Sequence, residues 1–497
     1  MKIGRILFLI TALSVIETTV TRGQNVVPAY RVETLETPPG IRPEVSALTF
    51  SPDGRLVACF RLGTIWTLDL ETRDWRRFAS GLFWPLGILP GQPGEFFVAQ
   101  APELTRVADT DGDGRADIYE TICDDWGLSG NYHEFVSNLL RDTKGNFYLA
   151  LGCASTNGAL RPPLRGSPSA PRKGKAYGHI SPVPYRGWVI KVAPDGRMEP
   201  LACGFRQPNG IAFNASGELF VADNQGGWVG TSPLYHLRPK RFYGHPASLV
   251  WDRSFDFEGH PFDAPPSLLA SRRTPPAVQL PQKDLAGSLG QPVRDLGDGR
   301  FGPYSGQFFV SDWTFERIHR IALEKVGGEY QGACFSFLEG QGLANGNNRM
   351  AFGPDGNLYV AQVSQLWGGT GQGLQRIVWN GKTPMDILDM HLTPTGFELR
   401  FTRPVQIATA ASPSAYSLKH YHYLYHSQYG SPKQDVTPVS IQSVKVTPDG
   451  LRVRLECEKL VPQRVYELRP RGIRGQDGEP LLTRLAAYTV NRLAVPE

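Results

Sequence analysis

The sequence predicts an all-β protein, a six-bladed β-propeller followed by an immunoglobulin-like β-sandwich. Three observations predict it. A strand, turn, strand unit recurs six times between Leu48 and Ala361. Turn formers are abundant, with Gly 54 and Pro 41, while stretches of helical periodicity are scarce. Beyond Thr383 the repeat gives way to segments in which apolar and polar residues alternate with period two.

At the N-terminus, Lys2 and Arg5 precede an apolar run from Ile6 to Ile16, with small and polar residues before Gln24. This is the layout of a secretory signal peptide over residues 1–23. The run is too short to span a bilayer and no later segment is long enough, so no membrane span is expected. The mature chain is expected to be secreted or periplasmic.

Residues 24–382 carry the repeat. Its copies run from Leu48 to Val57, Leu86 to Ala99, Asn138 to Leu149, Asn209 to Asp223, Val293 to Asp312 and Arg349 to Ala361. Ser51-Pro-Asp-Gly54 and Gly353-Pro-Asp-Gly356 are typical of the turns. Further strands between copies, such as Gly187 to Val192 and Arg317 to Ile321, bring each unit to about four strands, the content of one propeller blade. A lone blade cannot bury both faces, so radial stacking explains why the copies occur together. Pro- and Gly-rich insertions from Arg161 to Pro184 and Gly259 to Gly290 read as surface excursions.

Residues 383–497 contain Gly396 to Phe401, Ser440 to Val446, Leu451 to Leu455 and Val465 to Leu468, half-buried antiparallel strands of a sandwich. The six cysteines include no C-x-x-C pair and no haem-attachment motif, so either disulfides or buried thiols suit them. A net charge of +5 over 497 residues predicts neither a nucleic-acid stripe nor a membrane-binding face.

Residues just before each inner strand should meet at one mouth of the channel. These are Trp84, Tyr132 to Glu134, Arg206 to Asn209, Arg294 with Asp295, and Asn345 to Arg349. One His, several Arg and several amides suit an anionic or hydroxyl-rich ligand. Trp84, Trp228 and Trp367 read as packing between blades.

Gly204-Phe-Arg-Gln-Pro-Asn-Gly-Ile211, Tyr304 to Trp313 followed by Arg317 to Arg320, and His133 at the start of a blade are similar to segments of the soluble glucose/sorbosone dehydrogenase family. With Asp109 to Gly114 and the tail, the chain resembles still more the propeller modules of large secreted dehydrogenase-like proteins of planctomycete-type bacteria. The resemblance implies a sugar dehydrogenase using calcium and pyrroloquinoline quinone (PQQ), with electrons passed to a separate acceptor such as a cytochrome c. His133 would be the general base and Arg206 a charge-stabilising catalytic group. Arg206, Gln207, Asn209, Arg294, Asn348 and Arg349 would contact the cofactor. The family's H-x-G-G-R-L becomes His133-Glu-Phe-Val-Ser-Asn-Leu139, so Phe135 or Val136 stands where a flat quinone needs room.

Two other readings stand beside it. A calcium-dependent lactonase would require Glu44, Asn209 and Asp223 to meet at one ion; a non-catalytic carbohydrate- or partner-binding propeller would require no chemistry. The run Lys419 to His426 invites a metal reading for His420, His422 and His426, but exposed strand side chains are the expected outcome. Residues 109 to 120 match a twelve-residue calcium loop, with Asp109, Asp111, Asp113, the Arg115 carbonyl, Asp117 and Glu120 as ligands for a structural Ca2+.

Overall fold

The computed structural model describes residues 28–162, 164–166, 178–295, 297–363 and 371–495. The expected signal peptide lies outside them. Blade one is built from Val45–Phe50, Leu56–Phe60, Thr64–Leu68 and Trp75–Ala79, paired antiparallel in that order. Five more four-stranded blades follow, with inner strands Gly87–Pro90, Val136–Arg141, Gly210–Phe213, Leu289–Arg294 and Asn347–Phe352. Each inner strand packs on the next and the sixth packs on the first, so the ring is closed. The closing strand comes from the other end of the chain: Tyr30–Leu35 pairs with Gly373–Trp379 as the outer strand of blade six. This pairing locks both ends of the repeat together in one blade.

The local reasons match the repeat. In Ser51-Pro-Asp-Gly54 the Gly54 N–H donates to Ser51 O at 2.9 Å, and Gly54 adopts φ +85°, where a side chain is disfavoured. Second strands such as Leu56–Phe60 and Leu219–Ala222 are buried at every position because blades cover both faces. Inner strands are bulged at Val45/Ala47, Ser137/Leu140, Leu289/Pro292 and Asn347/Arg349. These bulges re-aim single side chains toward the channel.

One expectation is corrected. The segment from Gly259 to Gly290 is no surface excursion: Phe262, Ala264 and Leu269 are buried over the core of blade three, and Val278–Leu280 is the outer strand of blade four. The C-terminal strands are continuous with the propeller. Strands Ala486–Val490, Arg464–Pro470, Tyr416–His422 and Gln434–Pro438 continue outward from Glu329–Phe337 of blade five, in one eight-stranded sheet. A second sheet, containing Ile387–Thr393, Gly396–Phe401, Arg452–Cys457 and Ile441–Val446, closes a core that also takes Ala333 and Phe335 of blade five. Arg320 and Asp386, 2.9 Å apart and buried, clamp the junction, and Tyr304 donates to the same carboxylate at 2.7 Å. All six cysteines are free and buried. Among the described residues no helix is long and apolar enough to cross a membrane.

Candidate ligand site at the channel mouth

The inner strands all begin at one mouth, where the second strands end. Gln100, Asp223 and Asp312 terminate those second strands in blades two, four and five, and each holds the loop entering its inner strand. Gln100 Oε1 accepts from Phe83 N at 2.7 Å, and Asp312 Oδ2 accepts from Gly287 N at 2.7 Å. Asp223 accepts from the backbone of Arg206, Gln207 and Asn224 at 2.7–2.8 Å. Burial raises the Asp223 pKa, and these three N–H groups oppose that shift.

That loop delivers Arg206 to the mouth, where it is 6% exposed. Gly226 makes the room: a Cβ there would fall 1.9 Å from Arg206 Nε. The guanidinium lies over the ring of Tyr429, 5.3 Å from its centroid, and Nε is buried without a partner. His133 stands beside it. Its Nδ1 lies 3.3 Å from Cys153 O and 3.2 Å from His179 Nε2, and its carbonyl accepts from Gln207 Nε2 at 3.4 Å. A proton on Nδ1 shared with the Cys153 carbonyl leaves Nε2 as the basic nitrogen. Burial, then the charge of Arg206, pulls the His133 pKa down to about 4, so the ring is neutral at pH 7. The same two causes hold His179 well below its ordinary value and bring His245 to about 3.

An aromatic line borders these groups. Phe83 stacks on Trp84 at 5.3 Å, Trp84 meets Phe135 at 5.9 Å, and Phe135 meets His133 at 5.4 Å. Trp84 is therefore a mouth residue, unlike Trp228, which packs internally against Tyr425; Trp367 lies outside the described residues.

Four of the expected cofactor contacts serve other ends. Arg349 crosses the channel, donating from Nε to Leu86 O at 2.8 Å and from Nη1 to Asn209 O at 2.8 Å and Asn348 Oδ1 at 3.0 Å. Asn209 Nδ2 donates in turn to Asn348 Oδ1 at 3.0 Å and Leu289 O at 3.1 Å. These three residues tie blades two, four, five and six together. Arg294 ends its inner strand rather than preceding it, which puts it at the opposite mouth. The lactonase constellation is likewise committed elsewhere: Glu44 pairs with Arg61 at 2.7 Å, Asp223 with backbone N–H groups, Asn209 with Arg349.

Sequence reasoning missed His179, His245 and Tyr429. His179 lies in an insertion read as surface, yet His179–Ile180 pairs with Ala154–Ser155 at the mouth. Tyr429 arrives from the sandwich. Where exposed strand side chains were expected, the chain leaves its sheet at His422 and docks on the propeller. Trp228 N donates to His426 O at 2.8 Å, Gly430 N to Gly226 O at 3.0 Å, and Tyr425 Oη to Gly244 O at 2.6 Å. His420, His422 and His426 do not converge; among the described residues Asp109, Asp111 and Asp113 form the cluster suited to a metal.

That cluster sits in the hairpin between Leu104–Ala108 and Ile118–Cys123 of blade two. Asp109 accepts from Gly112 N at 2.7 Å and Gly114 N at 2.9 Å, which curls the loop so that the three carboxylates face one another. Asp117 instead accepts from Thr110 N and Oγ1, at 3.0 and 2.6 Å, and Glu120, in the following strand, pairs with Arg106 at 3.1 Å.

Fold and mouth together define a six-bladed propeller with a cluster of buried polar side chains where its inner strands begin. Within that class, residues 71–365 match the family model described as a domain of unknown function, DUF7133, and the chain belongs to that family. No curated protein matches the sequence. Among solved structures it is similar to a glucose dehydrogenase-type oxidoreductase of Thermus thermophilus, at 18% identity and TM-score 0.49, covering 70% of this chain and 100% of that one. A PQQ-bound aldose sugar dehydrogenase of Streptomyces coelicolor is 17% identical, with TM-score 0.45 and coverage of 71% and 99%. A structure described as a gluconolactonase is 16% identical, with TM-score 0.42 and coverage of 71% and 93%. These similarities carry nothing about chemistry here.

A tricarboxylate quinone such as PQQ needs several uncommitted cations at the mouth. Among the described residues Arg206 is one such cation, whereas Arg349 is spent on carbonyls and Arg294 is at the other end. The described residues do not form the implied cradle, and no chemical step is derived through the quinone.

Proposed function

We propose that the protein is an exported, dehydrogenase-like propeller that binds a sugar-like molecule at this mouth and oxidises one of its hydroxyls. One observation carries the reading: His133, held neutral and oriented through Nδ1, stands between the aromatic line and the Arg206 guanidinium. Its Nε2 takes the hydroxyl proton as the hydride on that hydroxyl's carbon passes to a diffusible two-electron acceptor, leaving a carbonyl, and Arg206 stabilises negative charge on the oxygen. Electrons end on a separate acceptor of the cytochrome c type. A calcium ion on Asp109, Asp111 and Asp113 holds the blade-two hairpin, away from this chemistry. The test is turnover of an aldose panel with an artificial dye, with and without added PQQ and calcium. Oxidation under any of these conditions supports the reading. No turnover under all of them, with sugar binding intact, favours the second reading, a non-catalytic sugar-binding propeller, for which the hydrogen-bonded closure of the channel around Arg349 speaks.

A further inference from the structure

Arg206 differs from the other buried arginines of the propeller. Arg186 lies 3.8 Å from Glu134, Arg320 lies 2.9 Å from Asp386, and Arg349 is spread over carbonyls. Arg206 has the ring of Tyr429 beneath it and, among the described residues, no carboxylate within ion-pair distance. A buried cation left in this state costs stability, and it persists where a ligand supplies the opposite charge. Further unpartnered polar atoms are buried nearby: both ring nitrogens of His245 and Nδ1 of His179. Buried polar groups without partners mark a place where solvent or a ligand belongs. The two flanks of the mouth have different chemistry. On one side Phe83, 52% exposed, and Trp84 present stacked rings; on the other Tyr429, 72% exposed, covers the guanidinium.

We propose that the ligand is a uronate-type sugar acid, its carboxylate on Arg206 and the apolar face of its ring on the line from Phe83 through Trp84 to Phe135. This rests on the reading that the mouth binds sugars and narrows it to acidic ones. Arginine suits a carboxylate because its planar fork donates two parallel hydrogen bonds, and aromatic faces suit the C–H surface of a pyranose. A neutral sugar would stack on the rings but bring Arg206 no ion-pair partner.

The test is calorimetry on the full chain at pH 7 with glucuronate, glucose and acetate. Glucuronate is expected to bind roughly tenfold or more tighter than glucose, the usual worth of a charged hydrogen-bonded pair, and acetate far more weakly than glucuronate. Arg206→Met should bring glucuronate to the level of glucose, and the ligand-free variant should melt at a higher temperature than the wild type because the unpaired charge is gone. Phe83→Ser should weaken both sugars by a similar factor. If Arg206→Met does not fold, Arg206→Lys should bind glucuronate several-fold more weakly, and unchanged affinity there overturns the proposal. Equal binding of glucuronate and glucose, or acetate matching glucuronate, also overturns it; equal binding leaves the sugar reading standing. Binding of neither sugar removes both.

Discussion

Arg349 shows how a single side chain can be misread from its place in a repeat. It was expected to face a cofactor, but the bulge at Asn347/Arg349 turns it across the channel. Burial lowers its pKa to about 9, and its charge is met by carbonyls of Leu86, Asn209 and Asn348. Arg349→Ala would leave those acceptors buried and unmet, and is expected to cost about 3 kcal/mol in urea unfolding; a loss under about 0.5 kcal/mol, the usual range of surface changes, would deny the tie. His133 has a different signature. His133→Ala should lower turnover by roughly a hundredfold with little change in sugar affinity, while His422→Ala in the sandwich should change neither. With the His133 pKa at about 4, the acid limb of the rate profile should fall through pH 4 rather than 6.5.

Two elements carry predictions of their own. In the blade-two hairpin, calcium is expected to raise the melting temperature of the wild type, and Asp111→Asn with Asp113→Asn should remove that shift. Glu120→Gln should keep it, because Glu120 is already engaged by Arg106; loss of the shift in that variant would return Glu120 to the ligand set. At the junction with the sandwich, His391 lies 3.1 Å from both Glu324 of blade five and Asp389. Hydrogen bonds to these two carboxylates raise its pKa to about 9. Its contribution is therefore full below pH 6.5, the unfolded value, and is lost as pH rises through 9. Hydrogen exchange along Ile387–Thr393 should quicken from about pH 7 to about 9.5, after correction for intrinsic rates, and His391→Gln should flatten that dependence.

On the scale of the molecule, the buried histidines at the mouth make stability fall in acid. His245, with a pKa lowered to about 3, is neutral when folded but takes a proton when unfolded below pH 6.5. Stability must then fall as pH drops from 6.5 toward 3, by about 2 kcal/mol at pH 5 from this residue alone. His133 and His179 act in the same direction, and His245→Leu should reduce the slope of stability between about pH 7 and about 5. Deleting residues 383–497 is a second test of the whole. It would bare the edge of Glu329–Phe337 and leave Arg320 buried without Asp386, so the truncated propeller is expected to aggregate or to lose at least about 3 kcal/mol. A truncated chain as stable as the full one would show two independent bodies.

The sequence by itself determined the blades, because Pro-Asp-Gly turns and runs of buried residues are local signals, and six copies of a unit that cannot bury its own faces have to stack. It also named His133 and Arg206, since each immediately precedes or enters an inner strand, and the acidic loop, whose spacing is contained in twelve residues. Only the tertiary structure decided which neighbours those residues have. Arg294 went to the opposite mouth because its strand begins four residues earlier than the repeat suggested. His179 and Tyr429 reached the mouth from an insertion and from the sandwich, 46 residues beyond His133 in the first case. The physical reason is that strand period and turn chemistry act over a few residues. Partners for a buried charge are set by ring closure and by packing between segments hundreds of residues apart, and no local pattern records them.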